Sequence, residues 1–168
     1  MPHIHKDIDL TASIYIVNDN RVLMIFHKKL QSWLPIGGHV ELNEDAEEAL
    51  MREIREECGL SVNLLSPPLP DVPDTTDMKF LPVPSYFDIH GVGGGHRHMN
   101  LTYFGTSLTS EVVLAEKEHD AFRWFTDQEI DDCITALQFF IENYPDKDGS
   151  KECRRDMKKL IKKLWGTK

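Results

Sequence analysis

A run of carboxylates set inside an apolar helical stripe constrains this chain more than any other feature. Asp45 is placed to cap a helix N-terminus, and Glu48 stands three residues on as its capping-box partner. Gly59 supplies the stop, because a left-handed residue after a helix costs least when it has no Cβ. Between these signals Ala46, Ala49, Leu50, Ile54 and Cys58 recur at helical spacing and make one buried face. At about 100° per residue, Glu53 and Glu57 project within that face and Glu56 falls at its edge. Glu47, Glu48 and Arg55 point elsewhere, as a solvated face should. A charge run on a helix is ordinarily solvent-facing, and that explains Glu47 and Glu48. It leaves Glu53 and Glu57 unexplained.

Carboxylates on a buried face are costly unless they are paired or bind a cation. Three of them within one turn repel each other, and a divalent ion reverses that sign. Arg52 can neutralise or orient only part of the charge. An all-oxygen donor set suits a hard ion, Mg²⁺ or Mn²⁺, better than zinc. The stretch from Gly38 to Leu60 resembles the Nudix box, G-x5-E-x7-R-E-U-x-E-E-x-G-U with U aliphatic. Gly38, Glu44, Arg52, Glu53, Ile54, Glu56, Glu57, Gly59 and Leu60 fill its defined positions in order. The resemblance implies an α/β/α sandwich of the Nudix type, built on a mixed sheet. It also implies hydrolysis of a nucleoside diphosphate derivative, assisted by Mg²⁺ or Mn²⁺.

On that reading Glu53, Glu56 and Glu57 hold the cation, and Glu53 is the first choice of general base. Arg52 orients a box carboxylate, and Glu44 is structural or outer. In the family the backbone of the double glycine helps bind metal, which brings in Gly37. Relatives often carry proline directly before the two glycines; here that place is Ile36, with Pro35 one earlier. A carboxylate shortly before the Trp-containing strand often completes the site or acts as base. Glu118 matches that position best and Glu116 is the reserve.

The rest of the chain fits one globular domain with a sizeable core: 168 residues, 40% hydrophobic and 28% charged. A net charge of −9 argues against a general nucleic-acid or anionic-membrane binder, though not against a phosphate-bearing substrate. Cys58, Cys133 and Cys153 are scattered without disulfide or metal spacing, so a cytoplasmic protein is expected. No signal-peptide pattern or membrane-length apolar run is seen.

Residues 9–17 and 21–27 read as strands joined by an Asn18-Asp19-Asn20 turn. Residues 28–38 read as a loop feeding the box. Further strands are expected at 60–66, 83–90, 97–107 and 121–125, with a proline-rich connector after 66. Thr126 and Glu129 form a capping box for a helix over 127–143. The box helix is expected on one face of the sheet and this helix on the other. Residues 1–145 make the hydrolase domain. Residues 146–168 contain a basic amphipathic helix, expected to pack on the domain or on a second copy as a homodimer.

Trp33, His39 and His98 are the expected substrate contacts, Trp33 by stacking on a base. His96 and His98 share a strand face beside the Gly91–Gly95 hairpin tip, and His90 can lie opposite them. Solvent-exposed strand histidines are expected there rather than a zinc site. Two rival functions share the fold: a non-catalytic nucleotide sensor and an isopentenyl-diphosphate isomerase-like enzyme. The first ordinarily loses box carboxylates, and none is lost here. The second needs a paired catalytic Cys and Glu, which the cysteine positions do not offer.

Overall fold

The computed structural model describes residues 4–71 and 78–132. Strand β1 (Ile8–Asn18) is the piece on which the others assemble. Its residues alternate between two sheet faces, as a strand's period of two requires. Ala12, Ile14 and Ile16 point to the apolar side and are essentially inaccessible. Asp9, Thr11 and Ser13 point to the other. Helix α1 (Ala46–Glu57) covers the apolar side. Its Leu50 and Ile54, with Cys58 just beyond, join Leu23, Ile25, Ile36 and Tyr103 in one core. Each such buried aliphatic side chain contributes roughly 1.5–3 kcal/mol.

Strand β2 (Arg21–His27) returns along β1 through a two-residue turn. Asp19 and Asn20 both lie in the left-handed region, φ 47° and 57°, as a type I′ hairpin demands. Residues 28–38 depart from the expected loop. They contain β3 (Ser32–Leu34), which pairs with β2, and β4 (Ile36–His39), which runs antiparallel to β1. Two strands of three and four residues, split by Pro35, are too short to show alternation. Pairing with β1 and β2 decides them instead.

Strand β5 (Val62–Leu64) and the hairpin of β6 (Tyr86–Gly93) and β7 (His96–Ser107) follow. Strand β7 runs parallel to β1 over ten register pairs, from Ile8↔Arg97 to Val17↔Thr106. The other registered pairs are antiparallel, so the sheet is mixed. Strand β8 (His119–Thr126) pairs with β2. Among the described residues the sheet has eight strands, ordered β3-β2-β1-β7-β5, with β4 on β1, β6 on β7 and β8 on β2.

Compact units divide after Trp124, and all the site chemistry below lies in Met1–Trp124. In the second unit a helix runs from residue 127 to 132, where description stops. Its capping box is as expected: Glu129 Oε2 accepts from the Thr126 amide at 3.0 Å, and Thr126 Oγ1 accepts from the Glu129 amide at 3.3 Å. The rest of the expected 127–143 helix and the 146–168 segment lie outside the described residues. No described helix is long and apolar enough to cross a membrane.

The caps of α1 also follow the sequence signals. Asp45 accepts from the amides of Glu47 and Glu48, each at 2.9 Å, and Glu48 accepts from the Asp45 amide at 2.9 Å. Lys79 donates to the other Asp45 oxygen at 2.9 Å. At the far end Gly59 adopts φ +65° and donates to the Ile54 carbonyl at 2.9 Å. Asp45→Ala removes both cap bonds and the Lys79 pairing. It is expected to lower stability by about 1–2 kcal/mol, read from the urea midpoint. An unchanged midpoint would mean the helix is held by its packed face alone.

Candidate active site

The site is built where α1 meets the double glycine of β4. Glu53 and Glu57 lie one turn apart on the buried side of α1, 3% and 7% exposed, while the Glu56 side chain remains open to solvent. Gly37 donates its backbone N–H to Glu57 Oε2 at 2.9 Å. At Gly38 a Cβ would stand 2.2 Å from Glu53 Oε1, so any other residue would push this carboxylate out of its place beside the strand. Gly37 is constrained from the other side. Its φ is +148°, and a Cβ there would meet the Ala12 carbonyl oxygen at 2.3 Å.

Arg52 ties these pieces together. Its Nε and Nη2 donate to the two oxygens of Glu44, at 2.7 and 3.0 Å. Nη2 also reaches the His39 carbonyl at 3.0 Å, and Nη1 donates to Glu53 Oε1 at 2.8 Å. Nη1 stands 3.5 Å from Glu56 Oε2 as well. The guanidinium hydrogen bonds hold the Glu44 carboxyl below its usual range, and those same bonds push Arg52 further up. Arg52 thus lies between Glu53 and Glu44, with a hydrogen bond to each carboxylate.

The fourth acidic position brings a residue that sequence reasoning missed. Glu118 offers a carboxylate oxygen that, with ligand atoms of Glu57 and His119, forms a group within 4.8 Å. His119 is 1% exposed, and its Nε2–H donates to Glu57 Oε1 at 2.7 Å. Its signal was the period-two face that it shares with Phe125. Starting β8 at residue 121 left His119 in the acidic loop. The reserve residue, Glu116, accepts from Lys28 Nζ through its backbone carbonyl.

The three expected substrate contacts fall in two places. Trp33 lies on β3 with its ring edge-on to Phe26, centroids 5.4 Å apart. His39 and His98 meet on the polar face of the sheet, where their rings cross at 4.8 Å. There they join Asp9, which is fully buried, and His96, which is 8% exposed. The expectation of exposed strand histidines therefore holds for His90 and fails for His96. A short N-terminal segment covers His96: its Nδ1–H donates to the Lys6 carbonyl at 3.1 Å. His90 pairs directly with His98 across the β6–β7 ladder. Burial, and then the neighbouring imidazoles, push the His98 pKa down to about 4.

A mixed sheet carrying an Arg-Glu helix beneath a double glycine is the construction of a Nudix domain, an α/β/α sandwich. The NUDIX domain profile matches residues 8–143, and the chain belongs to that family. A NUDIX-family hydrolase from Clostridium perfringens is 32% identical, aligned over 73% of this chain and 84% of that one, with TM-score 0.65. A MutT NUDIX hydrolase from Burkholderia pseudomallei is 24% identical over 72% and 84%, with TM-score 0.53. The MutT protein of Methanosarcina mazei Go1 shares the fold over 95% of this chain and 96% of that one, at 14% identity and TM-score 0.56. Comparison with curated proteins gave no match.

Burial lifts the Glu53 carboxyl to about 7, and the Glu57 charge adds to this against the opposing Arg52 hydrogen bond. A carboxyl raised on folding costs nothing below its unfolded value near 4.5. The cost grows as pH rises toward 7 and is complete above it. Glu53→Gln should therefore match the parent protein's stability in chelator near pH 4.5. It should exceed it by on the order of 2–3 kcal/mol near pH 8. Thermal midpoints of both proteins across that range test this, and a gap that does not widen with pH would refute the raised carboxyl.

Proposed function

We propose that the protein is a metal-dependent hydrolase that cleaves the diphosphate linkage of a nucleoside diphosphate derivative, either a nucleoside triphosphate or a nucleoside diphosphate joined to another group. The observation carrying this reading is the pair of buried carboxylates, Glu53 and Glu57, side by side against the Gly37–Gly38 backbone. Each has one oxygen held by a positioning group, Arg52 or His119. The donor set fits a hard divalent cation, because it offers carboxylate oxygens alone and two of those carboxylates are buried one turn apart, where burial first and the Glu57 charge second disfavour an ionised Glu53. Glu53, Glu56 and Glu57, with Gly37 and Glu118, would hold Mg²⁺ or Mn²⁺. The ion supplies positive charge for the phosphate oxygens and acidifies water.

The chain's own residues do the rest. Water attacks one phosphorus while its proton passes to Glu53, and the bond to the bridging oxygen breaks as the second phosphate leaves. Arg52 fixes the Glu53 rotamer, so the carboxylate need not be ordered at the moment of reaction. His119 and the Gly37 amide fix Glu57 from opposite sides. An isomerase-like role for Cys58 is unfavourable. Its thiol is buried, hydrogen-bonded to the Ile54 carbonyl at 3.1 Å and pushed up to about 11 by burial.

A screen of nucleoside triphosphates, nucleotide sugars and nucleoside diphosphate alcohols, reading released phosphate or monophosphate, finds the substrate. Activity should vanish in excess EDTA and return with Mg²⁺ or Mn²⁺. Turnover that persists in chelator after dialysis would rule the metal mechanism out. Glu57→Gln should lower kcat on the order of 10³-fold. Glu48→Gln, on the solvated face of the same helix, should leave kcat nearly unchanged and cost about 1 kcal/mol of stability. Equal kcat values for these two variants would place the catalytic face elsewhere.

A further inference from the structure

A second cluster lies on the polar face of the sheet, built on three adjacent strands. Asp9 and His98 are direct register partners on β1 and β7, and His39 of β4 stands opposite Thr11 of β1. The backbone ladders thus fix these side chains on one face without help from a loop. Asp9 Oδ2 is 3.2 Å from His39 Nε2 and 3.2 Å from His96 Nε2. One ligand atom each from Asp9, His39 and His98 lies within 4.8 Å of the others. Around a tetrahedral ion with bonds of about 2.0–2.1 Å, neighbouring ligand atoms stand about 3.3 Å apart.

The protons point the same way. His96 donates Nδ1–H to the Lys6 carbonyl, so in the neutral ring Nε2 carries a lone pair. That lone pair faces a carboxylate oxygen, and two acceptors at 3.2 Å are stabilised by a cation between them. A ring nitrogen bonded to a backbone carbonyl is also the usual support of a histidine ligand. The Asp9 carboxylate is itself oriented by two amides, His5 at 2.6 Å to Oδ1 and Ile4 at 3.2 Å to Oδ2.

We propose that Asp9, His39 and His98, completed by His96, bind a divalent transition-metal ion, zinc by donor type and ligand number. Imidazole-rich sets select zinc, copper, iron or nickel over magnesium or calcium. His96 stands outside the group of three but 3.2 Å from Asp9, and once it is drawn in as the fourth ligand no open position would remain, which marks a structural site rather than a hydrolytic one. The ion would pin β1, β4 and β7 together beside the box. His39 directly follows Gly38, and its carbonyl accepts from Arg52, so the clamp would also hold the strand that passes Glu53.

The test uses the full chain without an affinity tag, stripped with chelator and then loaded with zinc in excess Mg²⁺ before gel filtration. Elemental analysis should find about one zinc per chain, retained in Glu57→Gln and lost in His98→Asn. Zinc should raise the thermal midpoint of the stripped parent by roughly 5–10 °C at a hundredfold excess over Kd. It should not do so for His98→Asn. If His98→Asn fails to fold, Co²⁺ added to the parent protein in excess Mg²⁺ supplies the reading. Intense visible d–d bands of a tetrahedral imidazole site support the proposal, and their absence refutes it. The proposal also fails if the parent retains no zinc, or if zinc survives in His98→Asn and leaves with Glu57→Gln. None of these readings requires hydrolytic activity.

Discussion

Arg52 is the side chain on which the rest of the box depends. Its guanidinium meets Glu44, Glu53 and the His39 carbonyl at once, and lies near Glu56 as well. Without it Glu53 would be a buried carboxylate with only repelling neighbours, and the loop after β4 would lose its anchor at His39 and Glu44. A lysine could not replace it. A single ammonium cannot engage both Glu44 oxygens in a planar fork while also reaching a carbonyl and a second carboxylate. The guanidinium opposes only part of what raises the Glu53 carboxyl, which is burial first and the neighbouring Glu57 charge after it.

Strand β1 divides the molecule's chemistry by parity. Ala12, Ile14 and Ile16 feed the core under α1. Asp9, Thr11 and Ser13 feed a polar lattice with β7, in which Thr11 donates to Asn100 Oδ1 at 3.0 Å and Asn100 donates to Ser13 and Thr102. A slip of one residue in the β1–β7 register would exchange the two faces, placing Asp9 in the core and Ile14 among hydroxyls. The ten-pair parallel ladder and the opposed faces therefore enforce each other.

Much of this was legible in the sequence because it is local. The caps of α1, the inward azimuths of Glu53 and Glu57, the Asp19-Asn20 turn and the Thr126–Glu129 box all follow from residues within four positions of one another. Features that depend on long-range pairing were not legible. Strands β3 and β4 exist because β2 and β1 accept them, and nothing within seven broken residues announces that. His119 meets Glu57 across 62 residues. Asp9 read only as the opening of a strand, and its partners come from β4 and β7. His96 looked exposed because the segment that buries it, around Lys6, is about ninety residues away.

Ile36 shows how the long-range pairing settles a point the motif left open. Where relatives often carry proline before the double glycine, this chain places an aliphatic residue that is fully buried and paired with Ile14. Proline at that position would fill less of the core and could not donate an amide to a ladder. The aliphatic side chain instead anchors β4 from the apolar side, while Pro35 stiffens the step from β3. With Ile36 fixed below, Gly37 is presented so that its N–H meets Glu57, and Gly38 passes Glu53 without a Cβ to block it. The substitution thus preserves the approach of backbone to carboxylate by packing, where a ring would have done so by restricting φ.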